Sequence, residues 1–255
     1  MPTPLPPETK VDPRRYFESA EERRGDYAAR LPVCVYLETT NRCNLLCTTC
    51  PRTYAELEPP ADMSWKLFVS IVDQIPNLQR AVLHGVGEPM LVRNLPRMVA
   101  YLKDRGTYVL FNTNGTLLNE RNGRALIAAG LDELRVSLDA ANAKSFLAVR
   151  GKDYFARILR NVRGFRNLQD QEGADRPRVS FWLTGLKETV AELPAFVELA
   201  AQTGVREVYL QRLVFFDDDA IGLARPDQAL YEQMTREEGA HLEAATELAR
   251  AHGIA

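Results

Sequence analysis

The chain lacks the features that mark membrane, secreted or nucleic-acid-binding proteins. Among its 255 residues, 32 Lys and Arg stand against 34 Asp and Glu, so no excess of positive charge favours a nucleic-acid partner. No apolar run approaches the roughly 20 residues of a membrane span, and we therefore expect no membrane partner. The first ten residues have neither the basic nor the apolar region of a secretory signal. These absences predict a cytoplasmic protein.

Cysteine is scarce, and its distribution is uneven. Three of the four cysteines, Cys43, Cys47 and Cys50, fall within eight residues at C-x₃-C-x₂-C spacing. So few cysteines in a chain of this length do not indicate a disulfide framework, and metal or redox chemistry explains the run better. Zinc in a structural site requires a fourth protein ligand, whereas three thiolates fit a [4Fe–4S] cluster with one open iron, to which a substrate can bind. We expect Cys34 to be a buried core residue, and His84 is an alternative nitrogen ligand.

From about residue 32, short β-type runs alternate with helical patterns six times. Strict alternation predicts a parallel sheet covered by helices, arranged either as a doubly wound sheet or as an incomplete barrel. In both architectures ligands bind beyond the carboxyl ends of the strands. We therefore expect residues 32–255 to form one core domain. Residues 1–31 are expected to form a Pro-rich tail and a helical segment laid on the barrel.

The loop after the second predicted strand reads "HGVGEPM". Gly85 and Gly87 let the backbone approach a ligand closely, and Pro89 stiffens the turn. Glu88 supplies a carboxylate that suits an ammonium group. The alternative is a Gly/Pro turn with a solvated Glu88. A third interpretation, a phosphate-binding loop of a doubly wound protein, is disfavoured because the loop carries this carboxylate and no Lys.

Polar side chains also follow the third and fourth predicted strands. Asn112 and Asn114 can each donate and accept hydrogen bonds, although for Asn114 an Asn-Gly turn is the favoured interpretation. Ser137 and Asp139 are two residues apart at a strand end, so both can face a ribose diol. The alternative is that Asp139 or Asn142 caps the next helix.

Two charged groups lie further along the chain. Arg150 can hold a carboxylate through two hydrogen bonds, or it is an ordinary surface arginine. The acidic run Asp217, Asp218 and Asp219 follows the sixth predicted strand. It either attracts a cationic substrate or forms a solvated loop.

Together these motifs resemble those of radical S-adenosylmethionine (radical SAM) enzymes over about residues 32–250. "CNLLCTTC" is similar to the family's cluster motif, "GVGEP" to its glycine–glutamate–proline motif, "SLDA" to its ribose motif and "LQRL" to its adenine-contacting segment. The resemblance implies an α/β fold, a partial (β/α)6 TIM-like barrel, with a [4Fe–4S] cluster held by the three cysteines. We expect contacts to S-adenosylmethionine (SAM) from Gly87, Glu88, Asn112, Ser137, Asp139, Arg150, Leu210 and Gln211.

The resemblance also implies an activity and its partners. An external one-electron reductant of the flavodoxin or ferredoxin type would supply an electron, and SAM would be cleaved to methionine and a 5′-deoxyadenosyl radical. That radical would abstract hydrogen from a peptide or a small natural product. The alternatives are a non-catalytic zinc or iron–sulfur module and a glycyl-radical activating enzyme.

The sequence departs from the family pattern at two points. The residue before the third cysteine is commonly aromatic in the family and is Thr49 here. The motifs most resemble the branch that carries a C-terminal auxiliary-cluster module (SPASM or Twitch), yet no cysteine follows Cys50. We therefore expect either a fragment cut before that module or a single-cluster enzyme.

Overall fold

The computed structural model describes residues 31–55, 58–214, 225–231 and 234–255, together with Asp12 and Tyr16. The expected N-terminal helical segment and the acidic run Asp217–Asp219 lie outside the described residues. The domain boundary at residues 31 and 32 therefore remains a prediction.

Six parallel strands form one sheet in the order of the chain. A doubly wound sheet reverses its strand order, whereas sequential order is typical of a barrel. The structure thus confirms the α/β partial barrel and removes the doubly wound alternative. The strands are β1 (Cys34–Tyr36), β2 (Arg80–Val82), β3 (Tyr108–Thr113), β4 (Glu133–Ser137), β5 (Arg178–Thr184) and β6 (Val208–Gln211).

Helices follow the strands and cover the outside of the sheet. Within the described residues they are α1 (Trp65–Val72), α2 (Leu95–Lys103), α3 (Glu120–Ala128), α4 (Ala143–Arg150), α5 (Phe155–Glu172), α6 (Leu193–Gln202) and α7 (Arg236–His252).

Side-chain caps fix where several helices begin. Ser64, Asn119 and Asn142 each accept a hydrogen bond from a backbone N–H in the first turn of α1, α3 and α4. Ser64 is thus the cap of α1. Pro194 lies in the first turn of α6, where its missing N–H has no partner to lose.

The two faces of the sheet have opposite chemistry. Side chains alternate along a strand, so one set faces the helices and the other faces the inside of the partial barrel. The outward set joins the main hydrophobic core and includes Leu83, Phe111, Leu134, Val136 and Phe181, all fully buried. The inward set, in contrast, includes Tyr36, His84, Asn112, Arg135, Ser137, Trp182 and Tyr209.

The sheet does not close on itself. Within the described residues β1 and β6 each pair with one neighbouring strand, so the barrel is open between them. The expected incomplete barrel is therefore confirmed for this part of the chain. None of the helices in the described ranges combines the length and the apolar character that crossing a membrane demands.

Candidate functional site

A cavity of about 240 Å³ lies at the carboxyl ends of the strands, where a parallel barrel binds its ligands. The cysteine loop forms one wall of the cavity, and the ends of β2 to β5 form the others. Its lining includes Cys43, Cys47, Thr49, Cys50, Arg52, His84, Gly87, Glu88, Asn112, Asn114, Ser137, Asp139, Arg150 and Thr184. The structure therefore brings together nine of the eleven site residues expected from the sequence.

The cysteine loop is fastened on two sides by backbone hydrogen bonds. The end of α4 holds it through Thr48 N–H to the Val149 carbonyl at 2.9 Å, and the loop after β2 holds it through Glu88 N–H to the Arg42 carbonyl at 2.8 Å. An ion pair between Arg42 and Asp62 ties its base to the segment before α1. The three thiols are thus presented from a fixed loop.

Hydrogen-bond donors surround the thiols. The Leu45 backbone N–H lies 3.5 Å from Cys43 Sγ, the Asn114 amide nitrogen 3.9 Å from the same sulfur, and an Arg150 guanidinium nitrogen 3.6 Å from Cys47 Sγ. Burial raises the pKa of the Cys43 and Cys50 thiols, and backbone donors and Arg52 oppose that effect. Such donors stabilise a thiolate once a metal has displaced its proton.

Three soft sulfur donors on one cavity wall match the ligand set of an iron–sulfur cluster. All four cysteines are free thiols. In the described ranges, no three His, Cys, Asp or Glu side chains converge on a point where they would bind one metal ion. Cys34 is not the buried core residue that was expected. It is half-buried on the inner face of β1 beside Arg80, because strand alternation turns it away from the helices.

Glu88 is wholly enclosed by its own chain. Its carboxylate accepts hydrogen bonds from Met90 N–H at 3.0 Å, the Thr113 hydroxyl at 2.8 Å and Asn114 N–H at 2.7 Å. Burial raises the pKa of Glu88, and these three donors act in the opposite direction. The alternative interpretation, in which Glu88 is solvated, is therefore wrong. This carboxylate ties the loop after β2 to the end of β3, and its two oxygens retain the capacity to accept one further hydrogen bond.

Gly87 is required by a close contact with the cysteine loop. A Cβ atom at this position would lie 2.0 Å from the Thr40 carbonyl oxygen and 2.8 Å from that of Arg42. Backbone atoms cannot withdraw as a flexible side chain can. The glycine therefore allows two loops to meet, in addition to any approach to a ligand.

Asp139 and Arg150 pair with each other. The Arg150 Nε lies 2.7 Å from Asp139 Oδ2, and Asp139 Oδ1 accepts a hydrogen bond from Thr184 N–H at 2.8 Å. Burial acts to lower the pKa of Arg150, but the Asp139 carboxylate and the Cys47 thiol outweigh it and raise the pKa. Arg150 is thus no ordinary surface arginine, and Asn142 is the residue that caps α4.

His84 and Asn112 form a linked pair on the inner face. The Asn112 backbone N–H donates to His84 Nδ1 at 3.2 Å, so the neutral ring carries its proton on Nε2. Burial and the nearby Arg135 charge lower the pKa of His84 to about 4. The Asn112 side-chain oxygen is buried and has no hydrogen-bond partner. An unmatched acceptor on a cavity wall is typical of a ligand site.

Asn114 forms the Asn-Gly turn that was the alternative reading, with Gly115 at φ +73°. Its side chain also bonds Asn44 at 2.7 Å and contacts Cys43. Leu210 and Gln211 do not line the cavity. Their carbonyls accept hydrogen bonds from the Tyr231 hydroxyl and Gly185 N–H, and the Leu210 side chain faces the helices. Their contact with SAM remains a prediction.

Sequence reasoning missed four polar residues of the lining, Arg52, Thr53, Thr113 and Thr184. Arg52 donates to the Leu45 carbonyl at 2.6 Å, while its buried Nε has no partner. Thr113 and Thr184 lie at the ends of β3 and β5. These two threonines follow from the rule that strand ends line the site. Arg52 was two residues beyond Cys50, and its charge was the available signal.

The sequence profile of the Radical SAM superfamily matches residues 37–200. The match covers more than half of the chain and both loops that wall the cavity. The chain belongs to the Radical SAM superfamily, a class of enzymes whose cofactors are a [4Fe–4S] cluster and SAM.

Particular relatives share about a quarter to a third of their aligned residues. The tungsten-containing aldehyde ferredoxin oxidoreductase cofactor-modifying protein of Pyrococcus furiosus is 27% identical over 183 residues, which cover 71% of this chain and 51% of the relative. The mycofactocin maturase MftC of Mycolicibacterium smegmatis is 29% identical over 174 residues, covering 68% and 43%. The chain thus spans about half the length of the curated relatives it matches.

Solved structures agree on the fold. SuiB of Streptococcus suis bound to S-adenosylmethionine superposes with a TM-score of 0.70 at 12% identity, covering 93% of this chain and 52% of SuiB. SuiB bound to the precursor peptide SuiA gives a TM-score of 0.54 at 13% identity, covering 76% and 42%. At these identities the likeness concerns the fold alone.

Proposed function

We propose that this chain is the catalytic core of a radical SAM enzyme that acts on a peptide or a small natural product. The observation that carries the proposal is the shared cavity, with three thiols on one wall and an unmatched acceptor, Asn112 Oδ1, on another. Family membership supports it. When bound, the cluster and SAM together supply a carbon radical able to take hydrogen from an unactivated position.

The residues proposed to hold the cluster are Cys43, Cys47 and Cys50. Their loop is already fixed, so little ordering is needed when the cluster binds. Arg150 and Asn114 offer N–H groups to the sulfurs, which offsets part of the negative charge of three thiolates.

Four inner-face groups are proposed to orient SAM. Asn112 Oδ1 accepts from an ammonium or amino group, Ser137 and Asp139 face the ribose, and Glu88 accepts one further hydrogen bond. Arg150 holds the Asp139 carboxylate in place through their 2.7 Å ion pair. A direct contact between Arg150 and the SAM carboxylate remains part of the proposal. Gly87 contributes by letting the loop after β2 meet the cysteine loop.

The partners are likewise proposals. A relative named as a maturase and a fold relative bound to its precursor peptide favour a peptide substrate. A flavodoxin or ferredoxin would deliver single electrons at the cysteine side of the cavity. Action in the cytoplasm, where such reductants and thiols are maintained, is consistent with this chemistry.

The experiment is anaerobic reconstitution of the chain with iron and sulfide, with Cys34 as a matched control. Wild type and Cys34→Ala should bind about four irons per chain. Single replacements of Cys43, Cys47 or Cys50 by Ala should abolish the cluster spectrum. Wild type given SAM and dithionite should form 5′-deoxyadenosine, measured by mass spectrometry. Loss of iron from Cys34→Ala alone, or an intact cluster without 5′-deoxyadenosine, would contradict the proposal.

A further inference from the structure

A three-layer stack crosses the inner face beside the cofactor cavity. The guanidinium of Arg135, on β4, lies 4.1 Å from the ring centroid of Trp182, on β5. Tyr209, on β6, stacks on Trp182 with ring centroids 4.0 Å apart and an interplanar angle of 22°. Arg135 and Tyr209 come from the strands on either side of β5. Such offset stacking is specific to flat side chains.

Hydrogen bonds to residues two positions earlier on the same strands hold the stack in place. The Trp182 Nε1–H donates to Ser180 Oγ at 2.9 Å, and Arg135 Nε donates to Glu133 Oε1 at 2.5 Å. Glu133 also contacts Arg178 at 3.2 Å and the Tyr108 hydroxyl at 3.1 Å. The indole therefore has a fixed orientation, and Tyr209 takes its own orientation from the indole.

The stack is not required to fill the core. Val208 and Leu210 are the β6 residues that face the helices and pack against the core, whereas Tyr209 is 47% exposed on the inner face. The exposed ring of Tyr209 continues the stack with Trp182, and contiguous exposed apolar surface of this kind marks an interaction site. Tyr231, 45% exposed, adds a second ring whose hydroxyl donates to the Leu210 carbonyl.

The stack lies within reach of the reacting centre. Trp182 is paired with Ser137 in the sheet, and Ser137 lines the cofactor cavity. Tyr209 is paired with Trp182, two strand spacings from Ser137, or about 10 Å. It also lies on the edge strand beside the opening of the barrel. A flat group that enters through the opening would meet Tyr209 before it reached the cavity.

We propose that Trp182 and Tyr209 form a docking subsite for a planar aromatic group of the substrate. The inference rests on the proposed function for its role as a substrate subsite, but the binding itself does not. A ring stacked on Tyr209 extends the ordered stack by one layer, so its partner surface is prepared in advance. The rest of the substrate would then extend toward Ser137 and the cavity.

The test uses the fluorescence of Trp182. Trp65 is the other tryptophan of the chain and packs against Phe68 and Tyr101 outside the barrel. In Trp65→Phe protein, reconstituted with cluster and SAM, all tryptophan emission comes from Trp182. The probe is N-acetyl-4-nitrophenylalaninamide, a flat ring that quenches nearby tryptophan, and we expect saturable quenching. N-acetyl-cyclohexylalaninamide, apolar but not flat, should not compete at equal concentration.

Three variants in this background locate the subsite. Tyr209→Leu should weaken probe binding about three- to tenfold, because it removes the stacking ring but keeps apolar bulk. Tyr209→Phe should bind within about twofold of the parent, since the ring remains. Tyr36→Leu, an exposed inner-face tyrosine on the opposite edge strand, should also leave binding within about twofold.

The outcomes separate this inference from the proposed function. Effective competition by the cyclohexyl compound, or unchanged binding in Tyr209→Leu, would overturn the subsite. Cluster content and 5′-deoxyadenosine formation are measured on the same samples. Probe binding with no SAM cleavage would support the subsite and contradict the radical SAM proposal. SAM cleavage with no probe binding would support the radical SAM proposal and overturn the subsite.

Discussion

The outer and inner faces of the same six strands differ in the chemistry of their side chains. Phe111 and Phe181 face outward into a continuous apolar core with no exposed surface. Asn112 and Trp182, one residue further along, face inward to a polar chamber. A closed eight-stranded barrel fills its interior with branched aliphatic side chains. Here Val82 and Leu110 are the buried aliphatic residues of the inner face, so the chamber is left for ligands.

Alternate residues of each strand therefore have different roles: one set packs in the core, and the other faces the ligand chamber. The outward residues bury apolar area and supply stability. Many of the inward residues are polar or aromatic, and those near the carboxyl ends of the strands line the cavity. This division predicts that neighbouring residues on one strand respond to mutation in opposite ways.

The largest expected effect tests this division within β3. Phe111→Ala should lower the free energy of unfolding by about 3–5 kcal/mol, because it leaves a cavity in a closely packed core. Asn112→Ala should change it by less than about 1 kcal/mol, since its side-chain oxygen has no partner to lose. Urea denaturation followed by circular dichroism measures both.

Asn112→Ala should in turn lose SAM affinity while keeping the cluster. Equilibrium dialysis with labelled SAM on reconstituted protein measures that loss. If Asn112→Ala were as unstable as Phe111→Ala, the two faces would not be separable as described.

A second, smaller effect concerns Glu88, in the loop at the carboxyl end of β2. Glu88→Gln should cost about 1–3 kcal/mol of stability, because the new amide group turns a donor toward one of three existing donors. It should also weaken SAM binding while the cluster remains. Glu120→Gln, on the exposed surface of α3, is the matched control and should cost less than about 1 kcal/mol. Equal stability of the two variants would remove the tie between β2 and β3 that the structure assigns to Glu88.

The fold was predictable because its signals are periodic. Alternating β and α patterns gave the parallel sheet, and the rule that ligands bind at strand ends placed Glu88, Asn112, Ser137 and Asp139 around one cavity. The three cysteines were equally predictable as a site, because their motif lies within eight consecutive residues.

Pairings between distant segments were not predictable. Asp139 meets Arg150 and Thr184, and Gly87 meets Thr40, because of how loops are arranged in three dimensions. No period in the sequence encodes such contacts. The Trp182–Tyr209 stack has the same origin, since the sheet register, and not either strand alone, brings the two rings together.

The smallest expected effect is the pH response of the inner face at His84. Its pKa of about 4 lies below the ordinary 6.5, so between these values the unfolded chain binds a proton that the folded chain does not. Stability should therefore fall as the pH falls from about 6.5 toward 4, by about 1 kcal/mol between pH 7 and pH 5.5. His84→Gln should remove that part of the pH dependence while urea denaturation at pH 7 stays nearly unchanged. The imidazole resonances, assigned by their absence in His84→Gln, give the pKa directly by NMR. Titration of His84 near 6.5 would show that burial and the Arg135 charge do not control the ring, and that the inner face is wetter than the structure shows.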